Sequence, residues 1–547
     1  MKKRIAMLLL FSMLCTLTGC KQEETKEAET VMDVTGKYVL NTDRNEAVVN
    51  DGGVVTVANQ GNARVYYQIF VGSFSDSNGD GIGDLRGIID RFDYLNDGDD
   101  NSGVSLGVEG IWLSPIFTSP SYHKYDVTDY YEIDPKFGTM EDLKELIDLC
   151  HSRNVQIILD LVLNHTSTKN AWFTSFTKAH RDQDTANEYY DYYTHAAEPQ
   201  PGKTFTRFNG TEYYECNFST QMPELNFDNE DVRNAMVDVA KFYLDLGVDG
   251  FRFDAAKYIY YGEEQKNADF WIWYMEQLRA IKPDIYTVAE VWDSDAVTYP
   301  YFESTNCFNF TMSQTSGQIA LAAKAGDVNV FTTYVEKYLG DIQSRNPNAM
   351  LVSFIANHDT DRAAGFLTVA SGQAKVAANL NILLPGSPFI YYGEEIGLKG
   401  SRGGASTDAN RRLAMNWGDD DTIADPEGAN YNSGQTNGTV LEQQANGDSL
   451  LSHYKKLIAI RKANPEIAYG TFAALTVKDS KVGGFTATYE GSTVAVLHNT
   501  SLSEKTLDLT QVTNLTFTEI AAYAGVAGAT LEGTLLTIGG QTSVVLR

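Results

Sequence analysis

The chain has 547 residues, more than one ordinary core accommodates, so two or three domains are expected. Hydrophobic residues make up 43% and aromatics 12%, which argues against a disordered chain, while a formal charge of -29 argues against nucleic acid or another anionic polymer as partner. The 5 cysteines show no CxxC or Cys/His spacing and so point to neither a zinc site nor a disulfide framework.

Residues 1–20 carry a basic start (Lys2, Lys3, Arg4), an apolar run from Ile5 to Leu14, and then Leu17-Thr18-Gly19-Cys20. The run is too short to span a bilayer and its flanks are those of an export signal. The last four residues resemble the bacterial lipoprotein signal, which implies cleavage and lipidation of Cys20, and hence a globular protein anchored to the membrane outside the cytoplasm, at the cell surface. An ordinary cleaved signal peptide is the alternative. Residues 21–62 are polar and open on KQEETKEAET, so they read as a tether, with room for a short strand at 54–57.

From Val65 apolar strands alternate with amphipathic helices. Strands are expected at 65–70, 110–113, 155–161, 250–253, 285–289, 307–310, 351–356 and 389–392, with helices between most of them, such as 140–153, 231–246 and 373–383. This alternation implies a parallel sheet, closed as a (β/α)8 TIM barrel or open and doubly wound. Polar residues at the strand ends favour the barrel: Asp160, Asn164 and His165, then Arg252 and Asp254, then Glu290, then Asn357, His358 and Asp359. Barrel strands converge their C-terminal ends on one face. Residues 166–226, rich in Tyr, Asn and Thr, form an excursion too long for a simple loop and read as an inserted domain after the third strand. The barrel thus comprises 63–165 and 227–467, and 468–547 turn to short alternating strands that predict a C-terminal antiparallel β-sandwich.

In the stretch GVDGFRFD (247–254), Arg252 and Asp254 share one face of a strand, because side chains alternate across it. A guanidinium beside the carboxylate would hold it ionised, as a carboxylate nucleophile requires; a structural salt bridge is the other reading. Asp254, Glu290 and Asp359 all stand at strand ends on the expected open face. Two such acids, one ionised and one protonated, can cleave a glycosidic bond with retention.

DLVLNH (160–165), GFRFDAAKY (250–258), TVAEVW (287–292) and FIANHD (354–359) resemble, in order, the four catalytic segments of the alpha-amylase family, glycoside hydrolase family 13. GVEGIWLSPIF (107–117), MPELNFDN (222–229) and PGSPFIYYGEEIG (385–397) support the resemblance, which covers essentially the whole chain after the tether. It implies Asp254 as nucleophile, Glu290 as general acid/base and Asp359 as transition-state stabiliser. It further implies sugar contacts from Tyr125, His123, His165, Arg252, His358, Lys257 and Tyr258. Tyr122 stands where exo-acting members carry an Asp, and Ala255 where alpha-1,6 specialists have Val, so the resemblance implies internal cleavage of alpha-1,4 bonds in starch-like alpha-glucans and maltooligosaccharides; a monomer is expected. MPELN lies between the oligo-1,6-glucosidase and neopullulanase types, which keeps neopullulanase, cyclomaltodextrinase and 4-alpha-glucanotransferase activity as alternatives. A surface glucan-binding lipoprotein is the non-enzymatic one.

The loop Asp76-Ser77-Asn78-Gly79-Asp80-Gly81-Ile82-Gly83-Asp84 sets oxygens at alternate positions, as hard cations require, but lacks the twelfth-position Glu of an EF-hand. It resembles the family's structural calcium loop, which implies Ca2+ on Asp76, Asn78, Asp80, Asp84 and the Ile82 carbonyl. A second calcium of the family would use Asn164, but Tyr258 replaces the other ligand, a histidine. RRLAMNW (411–417) departs from the family pattern at Ala414.

Overall fold

The computed structural model describes residues 62–100, 102–403, 407–431 and 436–547, preceded by the backbone of four short strands at Thr30–Met32, Val39–Asn41, Val49–Asn50 and Gly53–Val54. The signal segment with Cys20 lies outside the described residues, as do residues 55–57.

Eight parallel strands form one sheet: β1 Tyr66–Ile69, β2 Gly110–Leu113, β3 Gln156–Leu161, β4 Gly250–Phe253, β5 Tyr286–Ala289, β6 Asn306–Cys307, β7 Val352–Phe354 and β8 Ser387–Tyr391. Their order, β6-β5-β4-β3-β2-β1-β8-β7, leaves β6 and β7 at the ends. A parallel bridge between Phe308 and Val352 joins these ends, with the Asn309 amide donating to the Val352 carbonyl at 2.9 Å. The sheet is therefore a nearly closed barrel rather than a doubly wound layer. β6 stops earlier than expected, at Cys307; the Phe308 amide still donates to the Ala289 carbonyl at 3.2 Å before the chain passes to the bridge with Val352, and Phe308 and Phe310 pack into the barrel interior.

That interior is packed with rings. Tyr66 is stacked between Tyr286 and Phe389 at centroid distances of 4.7 and 4.8 Å, and Trp112, Val288 and Phe354 join the same buried cluster. The glycines that start β2 and β4 make room for it. A Cβ on Gly110 would lie 2.4 Å from the Tyr66 ring, and one on Gly250 would lie 1.7 Å from the Tyr286 carbonyl oxygen. The outer helices start on capped ends: Thr139 forms a capping box with Asp142 ahead of helix Met140–Ser152, and Asn229 caps helix Glu230–Asp245. Leu143, Leu146, Ile147 and Cys150 form the buried stripe of the first.

The excursion consists of helix Ala171–Asp182 and a three-stranded antiparallel sheet, Phe205–Arg207, Tyr213–Glu215 and His195–Ala196, with Tyr213–Glu215 in the middle. Bridges from His165 to Glu224 and from Tyr193 to Leu225 return it to the end of β3. The C-terminal region holds a five-stranded antiparallel sheet, faced by a three-stranded one of Lys505–Asp508, Leu535–Ile538 and Ala529–Glu532. Val482, Leu497, Leu536, Ile538 and Val544 fill the space between them, whereas Phe485, Val494, Val496 and Val545 on the other face belong to the core of the barrel. Cys150, Cys216 and Cys307 are free and buried.

Candidate active site

The register of three neighbouring strands places the acids. Arg252 on β4 pairs with Asp160 on β3, and Phe253 pairs with Ala289 on β5, so Asp254 and Glu290 follow at the same level one residue beyond their strands. The Asp254 amide still donates to Leu161 and the Glu290 amide to Phe253, at 3.2 and 2.9 Å. Arg252, fully buried, fans its guanidinium between them. Nη1 donates to Asp160 Oδ1 and Asp254 Oδ1 at 2.7 Å each, and Nη2 to Glu290 Oε2 at 2.6 Å. One guanidinium fork thus bridges Asp254 and Glu290. Ala255 makes the turn after Asp254 in the left-handed region (φ 47°), and its amide donates to Glu290 Oε2 at 3.3 Å. A non-glycine residue there costs about 1–2 kcal/mol, held in place by the surrounding ladder.

One cation cannot neutralise three buried carboxylates. Burial pushes Asp160 up to about 7, with Arg252 opposing and Asp254 adding to the rise, and it raises Glu290 and Asp254 as well against the pull of the same arginine. Arg252 does favour the ionised form of Asp254, but its charge is divided among three anions and burial outweighs its share.

Asp359 lies across the cleft in the turn after β7. Its amide donates to Asn357 Oδ1 at 3.0 Å, and its carboxylate accepts from Arg412 Nη2 at 2.7 Å and pairs with His358 Nε2 at 3.0 Å. Burial would raise this carboxyl, but His358 and Arg412 overcome it and hold it well below the usual range. His358 is fixed from the other side by Gln68, whose Nε2 donates to Nδ1 at 2.8 Å, and the Tyr125 hydroxyl lies between His358 Nε2 (2.6 Å) and Asp160 Oδ2 (2.9 Å). Burial keeps His358 below its ordinary value, with Asp359 opposing, and takes His165 and His123 down to about 4, so the latter two are neutral imidazoles at physiological pH. His123 Nδ1 accepts the Tyr125 amide at 3.1 Å, which puts its N–H on Nε2. The buried Nε2 of His165 has no partner among the described residues.

Asp254, Glu290 and Asp359 border one cleft of about 870 Å3, together with His123, Tyr125 and His165. Lys257 and Tyr258 border it too, Lys257 donating from Nζ to the Trp292 carbonyl at 2.9 Å and Tyr258 packing on Phe218 and Tyr261. Arg252 and His358, expected to contact the sugar, are fully buried and do not line it. Tyr125 has one ring face covered by His358 at 5.5 Å, nearly parallel to it. Two aromatic rings that sequence reasoning missed are more open to a sugar: Trp292, 41% exposed and stacked on Phe310, and Phe218, 46% exposed. Also missed were Arg412, which donates to both Asp359 and the Tyr122 hydroxyl, and the ion-paired wall of Arg402, Asp408 and Arg411. Trp292 closes the segment TVAEVW and was within reach of the sequence; the wall comes from a distant loop with no local signature.

In the Asp76 loop, the Asp76 carboxylate accepts from the amides of Asn78, Gly79 and Gly81 and from Thr422 Oγ1, which outweigh burial and lower its pKa. Asp84 caps helix Leu85–Asp90 and accepts from Ser77, while burial, with Asp76 adding, raises it. Both carboxylates are buried and no cation pairs with either among the described residues. Two uncompensated acids with Asn78 and the Ile82 carbonyl fit a hard divalent cation. Asp80 is exposed, and the three acids do not converge on one point, since among the described residues the one such group of three lies elsewhere.

Residues 68–470 match the family model described as the catalytic domain of alpha amylase. The chain is 36% identical to an "Alpha-amylase 3" of Dictyoglomus thermophilum over 81% of its own length and 86% of that protein's. It is 30% identical to a "4-alpha-glucanotransferase" of Thermotoga neapolitana over 80% of this chain and 96% of the other. Among solved structures it superimposes on "Eubacterium rectale Amy13B" with a TM-score of 0.83 at 33% identity, covering 92% of this chain and 98% of that one. With four acids gathered on two arginines at the C-terminal mouth of an eight-stranded barrel, the chain belongs to the alpha-amylase family of glycoside hydrolases.

Proposed function

We propose that the protein is an endo-acting, retaining hydrolase of alpha-1,4 bonds in starch-like glucans and maltooligosaccharides. The observation that carries this reading is the Arg252 fork, which holds Asp254 and Glu290 together at the registered ends of adjacent strands. Asp254 attacks the anomeric carbon while Glu290, its carboxyl raised by burial, protonates the departing glycosidic oxygen; Glu290 then takes a proton from the water that releases the sugar. Asp359, kept anionic, holds ring hydroxyls and favours the positive charge that develops on the sugar. The unpartnered His165 Nε2 and the outward N–H of His123 are free for further hydroxyls. Open aromatic rings at Trp292 and Phe218 suit a long glucan lying along the cleft.

Chromatography of products from amylose, pullulan and maltotriose over time tests the reading. Short maltooligosaccharides appear early from amylose, the newly formed reducing ends are alpha by NMR, and Glu290→Gln lowers kcat by about 10²- to 10⁴-fold without unfolding the chain. Glucose as the sole early product, or beta ends, refutes it. Disproportionation of maltotriose outrunning hydrolysis favours a glucanotransferase instead, the activity named for the Thermotoga relative.

The Asp76 loop favours a structural Ca2+ held by Asp76, Asn78, Asp84 and the Ile82 carbonyl, with the exposed Asp80 outside the set. For location we propose a lipid anchor at Cys20 outside the cytoplasm, on the strength of Leu17-Thr18-Gly19-Cys20. Incorporation of labelled fatty acid that persists in Cys20→Ser overturns it.

A further inference from the structure

The inserted domain holds a second convergence of ligating groups, remote from the acids of the cleft. His180 lies in the last turn of helix Ala171–Asp182, His195 begins the strand His195–Ala196, and Glu212 immediately precedes the strand Tyr213–Glu215. One ligand atom from each lies within 4.8 Å of the other two.

His180 is the best defined of the three. Its ring is buried, stacked on Tyr190 at 3.9 Å, and its Nε2 lies 2.9 Å from the Tyr190 carbonyl, so that nitrogen carries the hydrogen. Its Nδ1 then faces the Glu212 carboxylate, 3.2 Å from both oxygens. A lone pair facing an anion is repulsive unless a proton or a metal cation lies between them. An imidazole locked by a backbone carbonyl on one nitrogen and open on the other is the arrangement of a metal ligand with its outer-shell support. The His180–Glu212 separation of 3.2 Å agrees with two ligands about 2.0–2.1 Å from a tetrahedral ion, which stand about 3.3 Å apart. Asn209 supports Glu212 in turn, its side chain donating to Oε2 and accepting the Glu212 amide at 2.9 Å. A cavity bordered by His180, Tyr190 and Glu212 gives an ion access.

We propose that the inserted domain binds a zinc-type divalent transition-metal ion through His180 Nδ1, His195 and Glu212, with water in the remaining position. Two imidazoles and one carboxylate favour such an ion over Ca2+, which takes oxygen shells. The ion would clip the helix end to two strands of the small sheet, so its role is structural.

The test uses the full chain, stripped of metal and returned to excess Ca2+. Titration with Zn2+ against a chromophoric competitor, with metal analysis after gel filtration, is expected to give one tightly held zinc per chain. His195→Ala and Glu212→Gln, at partly exposed positions, are expected to weaken it at least about 10-fold while leaving kcat/KM on amylose unchanged. The zinc-induced rise in Tm of the parent is expected to vanish in both. A parent that retains no zinc, or variants that bind as tightly as the parent, overturns the proposal. Should a variant fail to fold, Co2+ in the parent decides: an intense low-symmetry visible spectrum supports the site, and the weak spectrum of hydrated Co2+ overturns it.

Discussion

Replacing Arg252 by Met keeps the bulk of the stem and removes the one cation that Asp160, Asp254 and Glu290 share. Arg252 is fully buried and meets each acid at 2.6–2.7 Å. Removing one partner from a buried ion pair costs about 3–5 kcal/mol, a large part of a total stability of about 5–15 kcal/mol. The orphaned carboxylates have one escape, which is to take up protons. Burial already raises all three with the guanidinium opposing, and without it their folded pKa values rise further. A group whose folded pKa exceeds its unfolded one contributes fully below the unfolded value and loses that contribution as pH rises through the folded value. The penalty of Arg252→Met is therefore smallest near pH 4 and grows toward pH 8, by up to about 1.4 kcal/mol per pH unit for each additional proton the folded variant holds. Urea unfolding of parent and variant, followed by tryptophan fluorescence at several pH values, measures the difference. A penalty that is flat with pH, or greatest in acid, would refute the account of Arg252 as the shared counter-charge.

The alkaline limb of kcat/KM follows Glu290, whose raised carboxyl places that limb above the ordinary glutamate range; a limb at the ordinary value in a pH–rate profile counts against Glu290 as proton donor. Trp292→Ala removes an open ring from the cleft and is expected to raise KM for maltooligosaccharides about fivefold, equivalent to about 1 kcal/mol, with kcat little changed; an unchanged KM removes Trp292 from the sugar path. Chelation of Ca2+ is expected to lower Tm in the parent and to have less effect in Asp84→Asn, read by calorimetry; equal effects in both place the calcium elsewhere.

The barrel was legible because each strand carries its own apolar run and each strand end its own polar signature. GFRFD and TVAEVW are local enough to place Asp254 and Glu290 at strand ends. What makes them neighbours is register, Phe253 opposite Ala289, which no local pattern encodes. The same limit applies to the third anion: Asp160 was legible as a polar strand-end residue, but only its pairing with Arg252 shows that it shares that arginine with Asp254 and Glu290. It also hid Arg412, which meets Asp359 from 53 residues away in a segment that matched its pattern poorly. The early end of β6 was invisible for a different reason, since the apolar residues Phe308 and Phe310 carry the run past Cys307, where regular pairing ends.

The five-stranded C-terminal sheet has a consequence for how the molecule can be cut. Its composition reads as a separate module, yet Phe485, Val494, Val496 and Val545 pack into the same core as the barrel helices. Helix Val328–Gln343 makes the seam explicit: Asn329 Nδ2 donates to the Val477 carbonyl, and Glu336 accepts the Ala474 amide. A stop codon near residue 467 would strip the cover from an apolar wall and leave a sticky fragment. The border visible in the sequence is thus a change of architecture within one cooperative unit, not a hinge at which evolution or an engineer can freely exchange parts.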